Sequence, residues 1–306
     1  MILTCPKCKK KHEVDEGKIP PNAKVAKCKS CEFRFPLRSD EAGENPAPKT
    51  SPGSKVRRIG ISLSKGGVGK TTTSVNLAAG LAFSGHKVLL VDTDTQGQDS
   101  FMLGVKPKAG LTEFMMEELE PEEAMFKARE NLWLLSGGKS LAGLKRLIDR
   151  KDFGGEMTLT EGLERFESRF DYVIVDTSPG WDPITVNVLF YVSELLTPVS
   201  LEAMSLQGLV EFLKSIASIQ KYRHEVSLSY ILPTFLDKRV GRSQEILEKM
   251  DSLYGDRVCT PIRYNVSLAE SPAKGQTIFE YAPGSSGAMD YRELVRKVTG
   301  NDNLFR

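Results

Sequence analysis

The sequence predicts an α/β protein, a parallel sheet covered by helices on both faces, preceded by a small metal-closed module. Three observations predict it. Short, almost continuously apolar runs alternate with helical stretches through residues 56–306, and continuous apolar strands mark a parallel sheet buried on both faces. A glycine-rich loop stands between the first of these strands and a helix. Four of the five cysteines fall in the first 31 residues, as two C-x2-C pairs.

Composition narrows the classes. The chain has 306 residues, 40% hydrophobic and 27% charged, as in an ordinary soluble protein. No stretch approaches the roughly 18 apolar residues of a membrane span. Met1-Ile2-Leu3-Thr4-Cys5 has no apolar core of a signal peptide, which argues against secretion. The net charge of +2 conceals an asymmetry: residues 1–58 carry 14 Lys/Arg against 7 Asp/Glu, and residues 59–306 carry 28 against 33. Attraction to polyanions is therefore expected mainly from the first part.

Cys5-Pro6-Lys7-Cys8 and Cys28-Lys29-Ser30-Cys31 have zinc-site spacing. Each pair can sit on a tight knuckle, and four thiolates make a closed tetrahedral Zn²⁺ site with no open position for water. About forty residues hold too little core to fold alone, so the metal supplies folding energy. Two disulfides would suit an oxidising compartment, to which nothing points. His12 is a substitute ligand at most, and a surface histidine is the expectation. Apolar–polar alternation in the segments around His12 and Phe33-Arg34-Phe35 suggests short strands. Residues 1–38 resemble the small zinc ribbon found at the N-terminus of assorted bacterial proteins. Lys7, Lys9, Lys10, Lys11, Lys24, Lys27 and Lys29 leave two partners open, a nucleic acid or a protein docked on a basic face. Residues 39–55, rich in Pro, Gly and Ser, are expected to be a flexible linker reaching about 20–25 Å.

Arg58-Ile59-Gly60-Ile61-Ser62-Leu63 reads as a buried strand, and Thr73 to Ala82 as a helix. Between them lies Ser64-Lys65-Gly66-Gly67-Val68-Gly69-Lys70-Thr71-Thr72. The glycines let backbone N–H groups turn inward around phosphate oxygens, and the helix N-terminus adds its dipole. This is the context of a P-loop NTPase, with Ser64 where the strict pattern has Gly. Lys70 is expected on the β and γ phosphates and the Thr71 hydroxyl on Mg²⁺.

Lys65-Gly66-Gly67-Val68-Gly69-Lys70-Thr71 resembles the deviant Walker A loop of the ParA/MinD family of ATPases. In that family the early lysine reaches across a dimer to the partner's phosphates, a role that the resemblance gives to Lys65. Lys87 to Asp92 is the next strand, running into Asp92-Thr93-Asp94-Thr95-Gln96-Gly97. The resemblance makes Asp94 the residue that prepares the attacking water and Asp92 its support near the metal; Thr95 replaces the family's proline. Phe170 to Asp176 is a Walker B type strand, with Asp176 expected to hold Mg²⁺. Further strands are expected over 193–199 and 226–232, and a helix from Met204. The acidic stretch Glu113 to Glu130, broken by Pro121, is read as a solvated helical pair rather than a partner-docking site, and Trp181 as a core residue, with packing at a dimer face as the alternative. The resemblance covers about residues 56–299.

The chain departs from nucleoid-bound relatives. Glu280 to Gly287 lies where partition ATPases often carry arginines, which leaves Arg239, Arg242, Arg257, Arg263 and Lys274 as candidate DNA contacts, each read first as an ordinary surface charge. The polar tail after Val298 is unlike the membrane helix of the MinD branch, and Cys259 alone cannot supply a cluster site in the ATPase part. The resemblance implies an ATP- and Mg²⁺-dependent ATPase that dimerises on ATP, works with a cargo or activator protein, and positions a chromosome, plasmid or protein cluster. A cytoplasmic location is expected, with nucleoid association open and no membrane. The alternative is a zinc-ribbon adaptor whose nucleotide fold turns over negligibly.

Overall fold

The computed structural model describes residues 2–4, 10–13, 25–31, 34–36, 56–237 and 239–305. The chain divides into two units, Met1–Pro46 and Ala47–Arg306. The expected linker over 39–55 lies outside the described residues, as do Cys5 and Cys8.

The first unit holds two small antiparallel pairs, β1 (Ile2–Thr4) with β2 (Lys11–Glu13) and β3 (Val25–Lys27) with β4 (Arg34–Pro36). Cys28 follows β3 directly and is buried at 1% exposure. His12 is not the free surface residue expected: it is half-buried, with its Nε2 3.2 Å from Cys28 Sγ. Its place on β2 brings the ring to the second knuckle.

The second unit is built on an eight-stranded sheet. Its strands are β5 (Arg57–Ile61), β6 (Val88–Asp92), β7 (Phe126–Arg129), β8 (Leu132–Leu135), β9 (Tyr172–Asp176), β10 (Glu194–Ser200), β11 (Ser227–Leu236) and β12 (Ile262–Arg263). Their spatial order is β12-β11-β10-β5-β9-β6-β8-β7. All neighbours are parallel except β7, which closes one edge antiparallel to β8. The acidic stretch is therefore only partly helical: the turns Leu111–Met115 and Pro121–Ala124 lead into β7, whose Ala128 is buried.

Both faces of the sheet are covered, and the two-residue period of a strand explains how. Leu89 and Val91 of β6 enter one core with Leu63, Val173 and Val188, while Val88 and Leu90 enter the other with Ile59, Ile61 and Leu81. Each such side chain contributes about 1.5–3 kcal/mol on burial. The helix Lys70–Phe83 is buried on nearly every side because the helix Ser286–Thr299 and the turn Ile278–Tyr281 pack over it. Gly80 permits that contact, since a Cβ there would stand 2.6 Å from Val295 Cγ2 and 3.1 Å from Phe279. Trp181 is not a core residue: it is 40% exposed and leans on the Phe212 ring, with centroids 5.7 Å apart.

Candidate active site

Strand register assembles the acids. In parallel pairing Asp92, the last residue of β6, stands opposite Asp176, the last residue of β9, and Ile61 of β5 also faces Asp176. The C-terminal edge of three neighbouring strands thus carries two carboxylates and the start of the glycine loop, the usual place for a ligand in an open α/β sheet.

The loop then turns into the helix Lys70–Phe83. Gly67 and Gly69 have φ of 73° and 89°, the left-handed region that costs glycine nothing. Thr234 Oγ1 on β11 donates to Val68 O at 3.0 Å and fixes the loop from the side. No side chain caps the helix at Gly69, which leaves its N-terminal N–H groups and dipole for an anion. Gly66, Gly67 and Thr72 are open or half-open to solvent around that end, while Val68 anchors the loop in the core.

Lys70 is buried at 7% exposure, and its Nζ donates to Lys65 O at 2.9 Å across the loop. Burial draws its ammonium down from the ordinary range, opposed by the charges of Asp176 and Asp94. Thr71 and Ser74 lie on one helical face and clamp Asp176: Thr71 Oγ1 donates to Oδ2 at 2.8 Å and Ser74 Oγ to Oδ1 at 2.7 Å. Burial raises the Asp176 carboxyl to about 6 despite these hydroxyls and Lys70. Thr93 Oγ1 donates to Asp176 O at 2.6 Å and ties β6 to β9. Ser74 carries no motif; its helical spacing from Thr71 was the available signal.

Asp94 sits at the mouth, half-exposed, with its N–H donating to Asp92 Oδ1 at 2.9 Å and its Oδ1 accepting from Gln96 N. Asp92 is fully buried, and burial followed by the Asp176 charge pushes its carboxyl up to about 8. Gly137 makes the close packing possible, because a Cβ there would stand 2.6 Å from Asp92 O and 2.9 Å from Asp94 O. Asp99, on the short helix Gln98–Met102, is a third buried carboxylate that the sequence reading missed. Lys65 lies apart from the acids: its Nζ donates to the buried Ser205 Oγ at 2.8 Å and pairs loosely with exposed Glu202 at 3.4 Å.

These residues suit a nucleoside triphosphate with magnesium. The helix N-terminus, left-handed glycines and Lys70 fit phosphate oxygens, and Thr71 beside Asp176 fits a hard, octahedral cation. The second knuckle suits zinc as well. Burial raises the Cys28 thiol, but the Ser30 and Cys31 backbone N–H groups, His12 and the Cys31 side chain together bring it down to about 5. Cys28 is thus a thiolate at neutral pH, the form that ligates metal.

An AAA domain matches residues 56–229, and a zinc-ribbon domain matches residues 1–36. The sporulation initiation inhibitor protein Soj of Bacillus subtilis is 35% identical over 79% of this chain and 98% of its own length. The chromosome-partitioning ATPase Soj of Thermus thermophilus is 35% identical over 80% and 96%. The chain belongs to the ParA/Soj family of ATPases. Among solved structures, a cobyrinic acid a,c-diamide synthase of Mycobacterium smegmatis with bound ATP analog and magnesium superposes with a TM-score of 0.67, 28% identity and coverage of 80% and 96%. An ATP complex of a McdA variant from Cyanothece shares the fold, with a TM-score of 0.72 at 24% identity over 83% and 100%.

This ParA/Soj-type protein is thus an ATPase of the partitioning and positioning class, using ATP and Mg²⁺, with a zinc ribbon at its N-terminus. Among the described residues no helix is long and apolar enough to cross a membrane. The candidate DNA contacts are partly engaged elsewhere. Arg263 makes a two-pronged pair with Asp290, and Arg239 with Asp237.

Proposed function

We propose that this ParA/Soj-type ATPase is a switch in which ATP closes two copies face to face and hydrolysis reopens them, timing the positioning of a chromosome, plasmid or protein-cluster cargo. The observation that carries the reading is the division of labour between the two loop lysines. Lys70 is buried beneath the loop, where it serves its own chain's phosphates. Lys65 stands at the surface with its side chain 32% exposed, where in this reading it faces the second chain. A second cation at the terminal phosphate suits the charge of phosphoryl transfer.

In this reading Gly66, Gly67, Val68, Gly69, Thr71 and Thr72 cradle the phosphates through their N–H groups. Thr71 and Asp176 hold Mg²⁺, which when bound neutralises phosphate charge. Asp94 orients the attacking water, and Asp92 holds the Asp94 backbone in place. A cleft of about 610 Å³ lined by Met204, Phe235, Val240 and Tyr264 borders the loop, with Phe235 against Gly69. Phe235 adopts a φ of 60°, a strained conformation of the kind that gathers at functional sites. The cleft offers an apolar wall for a base or a facing chain.

Gel filtration of Asp94→Ala with ATP and Mg²⁺ tests the switch. A persistent dimer is expected; a monomer that has bound ATP would refute it. The ribbon supplies a second contact, because Lys10, Lys11 and Lys29 are exposed beside the knuckle. Salt-dependent retention on duplex DNA is expected for a nucleic-acid partner, and no retention on duplex DNA even at low salt for a protein partner.

A further inference from the structure

The nucleotide chemistry described above uses Asp92, Asp94 and Asp176 and leaves Asp99 without a task. Asp99 is 0% exposed, and neither of its carboxylate oxygens has a hydrogen-bond partner among the described residues. It does not point into apolar core. One oxygen from each of Asp92, Asp99 and Asp176 lies within 4.8 Å of the other two. Buried charges are paired or coordinate metals, and the nearby Lys70 ammonium donates across the loop to Lys65 O at 2.9 Å.

We propose that Asp92, Asp99 and Asp176 form a divalent-cation site beneath the nucleotide, distinct from the Mg²⁺ position at Thr71 and occupied without nucleotide. The donor set is three carboxylates with no imidazole or thiolate among them, which selects a hard, oxygen-preferring ion such as Mg²⁺ or Mn²⁺. A cation with bonds of about 2.1 Å holds neighbouring oxygens about 3 Å apart and opposed ones about 4.2 Å apart. The triad, with its oxygens within 4.8 Å of one another, closes on an ion by moving inward. Each ligand keeps a lone pair for the ion. Asp176 Oδ1 and Oδ2 face Ser74 and Thr71, while the Asp92 oxygens accept from the Asp94 and Asp99 N–H groups. Asp176 is the shared carboxylate between this site and the nucleotide's magnesium. Because Asp92 also fixes the Asp94 backbone, an ion here stiffens the loop that carries the water-orienting residue.

The test uses full-length, zinc-loaded protein without nucleotide, so its outcome does not depend on the dimer switch. Mn²⁺ is titrated and free ion read by electron paramagnetic resonance. About one Mn²⁺ per chain, displaced by excess Mg²⁺, is expected. Asp99→Ala and the near-isosteric Asp99→Asn should each weaken it by about tenfold or more. Calorimetry with ATP and Mg²⁺ on the same variants reports whether the P-loop remains intact, and Asp99→Asn preserves the volume should the alanine variant collapse. Wild-type protein that takes up no Mn²⁺ into the millimolar range overturns the proposal, as does equal uptake by wild type and Asp99→Asn. In the first case the triad is neutralised by protons instead; in the second the ion is held without Asp99.

Discussion

Removing the Ser205 hydroxyl should tighten the ATP-bound dimer. In the single chain Lys65 Nζ is held by Ser205 Oγ at 2.8 Å, a bond between an ammonium and a buried oxygen. If Lys65 must leave that bond to reach a facing chain, its strength opposes dimerisation. A hydrogen bond to a charged group is worth about 1.5–3 kcal/mol net, and the one-third exposure of Lys65 places this one near the lower figure. The Glu202 pair is discounted because Glu202 is 71% exposed. Ser200 Oγ loses its partner Ser205 in the variant, but in the single chain and the dimer alike. Two chains release two bonds, about 3 kcal/mol together, or up to about a hundredfold in the dimer dissociation constant. Sedimentation velocity with ATP and Mg²⁺ measures it, comparing Asp94→Ala with Asp94→Ala/Ser205→Ala to exclude hydrolysis. A dimer that is unchanged or weaker would show that Lys65 does not leave Ser205 on closure, and the cross-chain role of Lys65 would fall with it.

Gly137→Ala forces a methyl against Asp92 O and Asp94 O, and backbone on both sides cannot yield cheaply. A loss of about 1–3 kcal/mol by thermal melting is expected, with slower ATP turnover as Asp94 moves. Metal-free, nucleotide-free protein should lose stability as pH rises between about 4 and about 8. Folded Asp92 keeps its proton up to about 8, whereas the unfolded chain releases it near 3.8, so the unfolded state binds fewer protons in that interval. Asp99 is raised in the same direction, so Asp99→Asn should flatten the pH dependence of the melting midpoint. Cys28→Ser should abolish zinc binding, read by atomic absorption against about one zinc per chain in wild type. Full retention of zinc by that variant would place the metal elsewhere.

Much of the machinery was legible because it is local. The P-loop is a run of consecutive residues whose glycines, lysine and threonine must follow a strand and open a helix, so order along the chain is order in space. Asp92 and Asp176 were legible as apolar strands ending in an acid. The edge strand Phe126–Arg129 was not, because its charged, half-exposed sequence mimics a solvated helix and becomes a strand only by pairing with β8. Trp181 read as core by size alone, yet its loop leaves it on the surface.

The sequence by itself determined the fold class, the phosphate loop and the second cysteine knuckle, since each depends on spacing within one short segment. Tertiary structure alone decided which distant groups meet. It set His12 against Cys28 and Ser205 under Lys65. It also brought Asp99 into a buried triad with Asp92 and Asp176. The physical reason is that parallel register and helix packing juxtapose residues tens of positions apart, and the charge of a carboxylate acquires its cost only when that packing removes water from it.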